Sequence, residues 1–180
     1  VTLAGISGTN ASGNWDIIVG GSSTVRSTNG KVSILGQGTY DSILDLLTLE
    51  SNNEILIQDD QPRLSSTLSF TGSATVKVQS SSSAFATVPN FGLPNINSSI
   101  TGLTLGRESE TGSITLSKAY TINGPIRVYG GTISVTTDQT VTSESAEILL
   151  KATFGISTGT SVDLRTNGGD IVLWADSDES

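Results

Sequence analysis

Seven times along the chain a turn residue is followed by a short strand of the form apolar-x-apolar. The first apolar residues of these strands are Val32, Ile55, Val76, Leu103, Ile126, Ile148 and Ile171, spaced by 23, 21, 27, 23, 22 and 23 residues. A repeat near 22 residues, holding two or three short strands and as many turns, has the length of one coil of a parallel β-solenoid. Inside each unit the period drops to two. Lys31-Val32-Ser33-Ile34-Leu35, Ala74-Thr75-Val76-Lys77-Val78 and Thr132-Ile133-Ser134-Val135-Thr136 alternate apolar with polar residues and are rich in β-branched side chains, the pattern of half-buried strands. Asn29-Gly30, Ser51-Asn52-Asn53, Asn123-Gly124, Gly130-Gly131 and Asn167-Gly168-Gly169 supply the turns between them.

These periods predict an all-β fold, a parallel β-helix with coils of about 22 residues, in which apolar side chains one coil apart stack in columns at the ~4.8 Å strand spacing. Residues 1–180 read as a single β-solenoid segment of a longer chain. The 27-residue step carries Ser80-Ser81-Ser82-Ser83 and the Pro-containing run Val88–Pro94, so a loop insertion is expected at 80–98. A second excursion is expected at Gly5–Asn14. Two competing readings exist. Short strands between frequent turns also suit an antiparallel β-sandwich, and Ser42–Glu50 partly fits helical i, i+3, i+4 spacing.

Composition then removes most chemistry. Among 180 residues there is no Cys and no His, so thiol nucleophiles, Ser–His and Cys–His pairs, disulfides and the usual zinc and haem ligand sets are excluded. Nine Lys and Arg against seventeen Asp and Glu give a net charge of −8, which disfavours a nucleic-acid or acidic-lipid partner. No run of eighteen apolar residues exists to form a transmembrane helix. The expectation is a non-enzymatic chain with no cofactor. Its 28 Ser and 24 Thr suit outward faces and corners, where coils follow one another closely.

Three groups of residues are candidates for chemistry. Asp59-Asp60 is the only Asp-Asp pair, and without a histidine it reads as a polar turn rather than a sugar-cleaving centre. Asp176, Asp178 and Glu179 form an acidic end whose Asp-x-Asp spacing can supply oxygen ligands to calcium, but the glycine-rich nonapeptide of calcium-binding β-rolls is missing. Trp15, Trp174, Tyr40, Tyr120 and Tyr129 would form a sugar-stacking platform if they shared one outer face. Trp174 is the candidate glycan contact, because alternation puts it on the side opposite Ile171 and Leu173. Outward Thr and Ser are interrupted by Lys31, Lys77, Arg127, Asp163 and Arg165, too irregular for an ice-binding array.

The opening 1–36 and the phrases FTGSATVKVQ (70–79), ITGLTLGRESETGSITLS (100–117), INGPIRVYGGTISV (122–135), EILLKA (147–152) and TNGGDIVLWADSD (166–178) resemble the repeats of giant secreted β-strand-repeat proteins. These are filamentous-haemagglutinin-like surface adhesins of Bacteroidota. The resemblance implies an extracellular, cell-surface segment that acts as a rigid stalk or adhesion surface, exported by the type IX route used by gliding bacteria. It brings no catalytic residues. The implied partners are flanking repeats of the same chain, with surface polysaccharide or another cell-surface protein beyond them. The rival classes are a carbohydrate-binding or carbohydrate-active β-helix and a phage or secretion-system fibre.

Overall fold

The computed structural model describes residues 1–5, 18–19, 21–36, 42–86 and 94–176. Every strand pairing within them is parallel. The chain winds as a three-sided β-solenoid. Side one stacks Thr2–Gly5, Val32–Gly36, Glu54–Gln58, Thr75–Gln79, Gly102–Leu105, the first arm of Ile126–Val135, the first arm of Ile148–Thr158, and Ile171–Trp174. Side two, which precedes side one in each coil, holds Ser23–Ser27, Leu47–Ser51, Ser69–Thr71 and Asn95–Ile96, then Tyr120–Ile122, Gln139–Glu144 and Leu164–Asn167. Side three holds Ile18–Val19, Ser42–Leu44 and Pro62–Leu64, and later Ile114–Leu116 with the second arms of the two long strands. Eight strands on side one rise by seven steps, so the rod is about 34 Å tall.

The seven residues that define the period lie directly over one another. Val32 pairs with Ile55, Ile55 with Val76, Val76 with Leu103, Leu103 with Ile126, Ile126 with Ile148, and Ile148 with Ile171. Their partners two residues on form a second column, from Ile34 through Ile57, Val78, Leu105 and Val128 to Leu150, and all twelve members below the last coil are at most 1% exposed. One residue of slip would turn both columns outward, so burial fixes the register as firmly as the ladder does. The antiparallel sandwich is thereby corrected. Its strands would bury alternate residues against a facing sheet, whereas here each buried residue also meets its counterpart one coil away.

Three local expectations change. Ser42–Glu50 is not helical: Ser42–Leu44 and Leu47–Ser51 are strands on different sides, joined at Asp45-Leu46, where Leu46 turns the corner with φ +49°. Leu44, Leu47 and Leu49 are buried on the two arms of that corner, so an apparent helical spacing came from counting across a bend. The insertion expected at 80–98 is narrower at its far end, since Asn95–Ile96 pairs with Ser69-Phe70 as part of side two, while 87–93 lie outside the described residues. The excursion expected at Gly5–Asn14 falls almost entirely outside them as well. An excursion that the period did not predict spans Gly106–Ser113, between the side-one strand Gly102–Leu105 and the side-three strand Ile114–Leu116.

The corner between sides two and one explains the glycines. At Gly124 an added Cβ would stand 1.8 Å from the Thr101 carbonyl oxygen, and at Gly169 it would stand 2.0 Å from that of Ala146. Backbones of successive coils touch there, leaving no volume for a side chain.

The corner between sides three and two carries a polar clasp. Asp45 Oδ1 accepts hydrogen bonds from Thr67 Oγ1, from Ser65 Oγ at 2.9 Å and from Leu46 N at 2.9 Å. The Thr67 hydroxyl first, then Ser65, hold the Asp45 carboxyl below the usual carboxylate range. A lowered folded-state pKa means the clasp contributes fully above the ordinary carboxylate range and is lost as pH falls through the lowered value. The stability gap between the parent chain and Asp45→Asn should therefore be widest near neutral pH and close in acid. Urea unfolding across pH measures it, and a gap that does not vary with pH would refute this account.

Candidate functional site

The outer surface of side one is where the chain departs from a plain scaffold. Strand alternation directs Glu54, Lys77, Arg127, Tyr129, Lys151 and Trp174 outward. Glu54 receives Lys77 Nζ at 2.6 Å from the coil after it and Lys31 Nζ at 3.9 Å from the coil before it. Farther along, Arg127 Nε donates to Glu147 Oε1 at 2.7 Å. These half-exposed ion pairs are each worth little, ~1 kcal/mol or less, but they run between coils and so reinforce the stack.

At the C-terminal end of this surface Tyr129, Lys151 and Trp174 form one column, through the pairings Tyr129 with Lys151 and Lys151 with Trp174. Lys151 Nζ lies 4.6 Å from the centroid of the Trp174 ring, a cation–π contact. Trp174 is 49% exposed, so part of the ring remains open to solvent. Tyr129 is half-buried, and that burial pushes its phenol pKa up. Phe154, the most exposed large apolar side chain described, sits where Ile148–Thr158 turns from side one to side three; its ring lies beside Gly131. A partly open indole backed by an ammonium group can offer an apolar face to a sugar ring and a charge to its substituents.

The other candidates fall elsewhere. Tyr120 is 4% exposed and lies in the core, where burial raises its pKa, so it takes no part in an outer aromatic platform. Trp15 and Tyr40 lie outside the described residues. Asp59 is buried at a corner, and its Oδ1 accepts from Gln61 N at 2.6 Å. The Asp60 carboxylate accepts from Ser82 N at 2.8 Å, and its backbone oxygen accepts from Ala86 N at 2.7 Å. Asp60 thus holds the 80–86 excursion to the preceding coil, while the Asp59 carboxylate closes its own turn. Asp176 is exposed, with φ +57°, while Asp178 and Glu179 lie outside the described residues.

The last coil has a further property. Ile171 and Leu173 continue the two inner columns, yet they are 44% and 52% exposed, because no described strand lies beyond them. Lys151 and Phe154 were not singled out by the sequence reading. A signal for Lys151 existed, since one coil back from Trp174 along the column is position 151.

Fold and register together define a parallel β-solenoid protein. No protein-family model, no curated protein and no solved structure matches this chain.

Proposed function

We propose that the chain is a non-enzymatic, load-bearing segment of a larger exported cell-surface protein, a stiff spacer that holds adhesive elements away from the cell. The observation that carries this reading is the unbroken register of side one over eight strands. A pull along the rod is resisted by the continuous parallel ladder of side one, backed by shorter parallel ladders on the other two sides, and no coil can slip without exposing both apolar columns. The resemblance to secreted β-strand-repeat adhesins supports export and adhesion. Antibodies raised against residues 1–180 should label intact cells of the source organism, and deleting the segment should reduce attachment to surfaces. Labelling confined to lysed cells would overturn the proposal.

A second reading, carbohydrate binding, is favoured by one arrangement, the open Trp174 ring beside Lys151. On this reading Trp174→Ala abolishes retention on a glycan array, and Lys151→Ala weakens retention of anionic glycans more than neutral ones. Retention unchanged by Trp174→Ala, or absent in the parent chain, eliminates it.

A further inference from the structure

We propose that Asn167 is a site of spontaneous deamidation, and that its conversion loosens the attachment of the last coil. The chain contains three Asn-Gly pairs, Asn29-Gly30, Asn123-Gly124 and Asn167-Gly168. Glycine after asparagine leaves the backbone nitrogen unshielded by a side chain, so each pair has the same intrinsic chemistry. The deprotonated glycine nitrogen attacks the asparagine Cγ, the Cγ–Nδ2 bond breaks, and ammonia leaves a five-membered imide. Water then adds at either imide carbonyl, giving aspartate or isoaspartate. No oxidant, metal or enzyme is needed, and the rate rises with pH as the attacking nitrogen loses its proton.

The three pairs differ in where the fold puts them. Asn29 and Asn123 stand three residues before Val32 and Ile126, which places Gly30 and Gly124 at the same corner position, where Gly124 is packed against the backbone of the preceding coil and Gly30 meets only Ser27 Oγ, 3.3 Å from where its Cβ would be. Gly124 is buried, and a Cβ there would meet Thr101 O at 1.8 Å and Thr101 C at 2.2 Å. The Asn123 backbone is held as well, its N–H donating to Ile100 O at 2.9 Å. Gly30 is half-buried, with its carbonyl accepting from Ser51 Oγ at 2.9 Å. Asn167-Gly168 is displaced by one position relative to Ile171. Asn167 and Gly168 are both exposed, Gly168 has φ +82°, and no atom lies within 4 Å of the place its Cβ would occupy. The backbone rotation that brings the nitrogen onto Cγ has room here, whereas at Asn123 it would drive the chain into the coil beneath.

Asn167 also ties the last coil down. Its Nδ2 donates to Thr142 O at 3.1 Å, its carbonyl accepts from Ser145 N at 3.1 Å, and its Cα partner in the ladder is Glu144. Aspartate at 167 removes the donor that meets Thr142 O and sets a negative charge opposite Glu144. Isoaspartate also inserts an extra backbone carbon into the ladder and breaks its register. Either product frays Leu164–Asn167 from Gln139–Glu144.

The test is to age the folded chain at mildly alkaline pH in water enriched in heavy oxygen, then digest it and map label at the three sites. Asn167 should convert faster than Asn123 by roughly tenfold or more, a barrier difference of ~1.4 kcal/mol. In the urea-unfolded chain the three sites should convert at comparable rates. Equal rates at Asn123 and Asn167 in the folded chain, or the same ranking when unfolded, would overturn the proposal. Separately, Asn167→Asp should speed amide exchange across 164–167 while leaving 126–128 protected. Unchanged exchange at 164–167 would refute the link between the site and the last coil.

Discussion

Phe70→Ala should lower the unfolding free energy by about 3–5 kcal/mol, the cost of emptying a fully buried aromatic site. Phe70 is 1% exposed and stands between Leu49 and Ile96 in the inner column of side two. The neighbouring coils cannot settle into the cavity, because their spacing is set by backbone ladders to both neighbours on sides one and two. For a chain of this length the melting temperature should fall by about 10 °C. The loss should also be local. In a solenoid each coil touches only its neighbours, so stability is close to a sum of coil and interface contributions. Hydrogen exchange should accelerate around Leu49, Phe70 and Ile96 while Val128 and Leu150, in later coils, keep their protection. Phe154→Ala is the matched control: the ring is 67% exposed, and its removal should change stability by less than about 0.5 kcal/mol. A Phe70→Ala loss below ~1 kcal/mol, or one equal to that of Phe154→Ala, would mean that side two is not a packed inner wall.

Much of this molecule was legible before any coordinates. Each coil imposes the same demand on its sequence, an apolar pair on an arm followed by small residues at a corner, so one demand is written seven times. The pairings from Val32 to Ile171 follow from counting alone, and strand alternation placed Trp174 outward. What the count missed lies where one coil differs from the next. Ser42–Glu50 looked helical because a corner at Leu46 rephased the apolar residues, and a left-handed leucine leaves no mark in composition. Gly106–Ser113 hid inside an ordinary 23-residue step, because that coil shortens elsewhere to compensate. At the candidate site the indole was found and its neighbour was not. The contact of Lys151 with Trp174 exists only across coils, so it becomes visible once the period is used to pair outward positions as well as inward ones.

Glu110 is the other residue whose role no local pattern announces, and Glu110→Ala should cost about 3 kcal/mol, from donors that lose a buried acceptor. Its side chain is 2% exposed. Oε1 accepts from Phe85 N at 2.8 Å and Gly112 N at 3.0 Å, and Oε2 accepts from Ser80 Oγ at 2.7 Å. One carboxylate thus joins two excursions on adjacent coils, 80–86 and 106–113, where the regular ladder of side three is interrupted. Hydrogen bonds to an ionised acceptor are about twice as strong as neutral ones, and water has poor access to replace them. Glu110→Gln should cost less than half as much. Its amide oxygen still accepts from the two backbone N–H groups, while its Nε2 donates to Ser80 Oγ, whose one proton then turns from position 110 to Ser82 O, 2.8 Å away. The ordering Ala, then Gln, then parent should appear in urea midpoints at constant m-value, with amide exchange at Phe85 and Gly112 rising in the Ala variant. If Gln were as damaging as Ala, geometry would not be the controlling factor and the negative charge itself would be. If neither variant mattered, the two excursions would be held by backbone contacts alone, such as Thr111 N to Ser83 O at 3.1 Å.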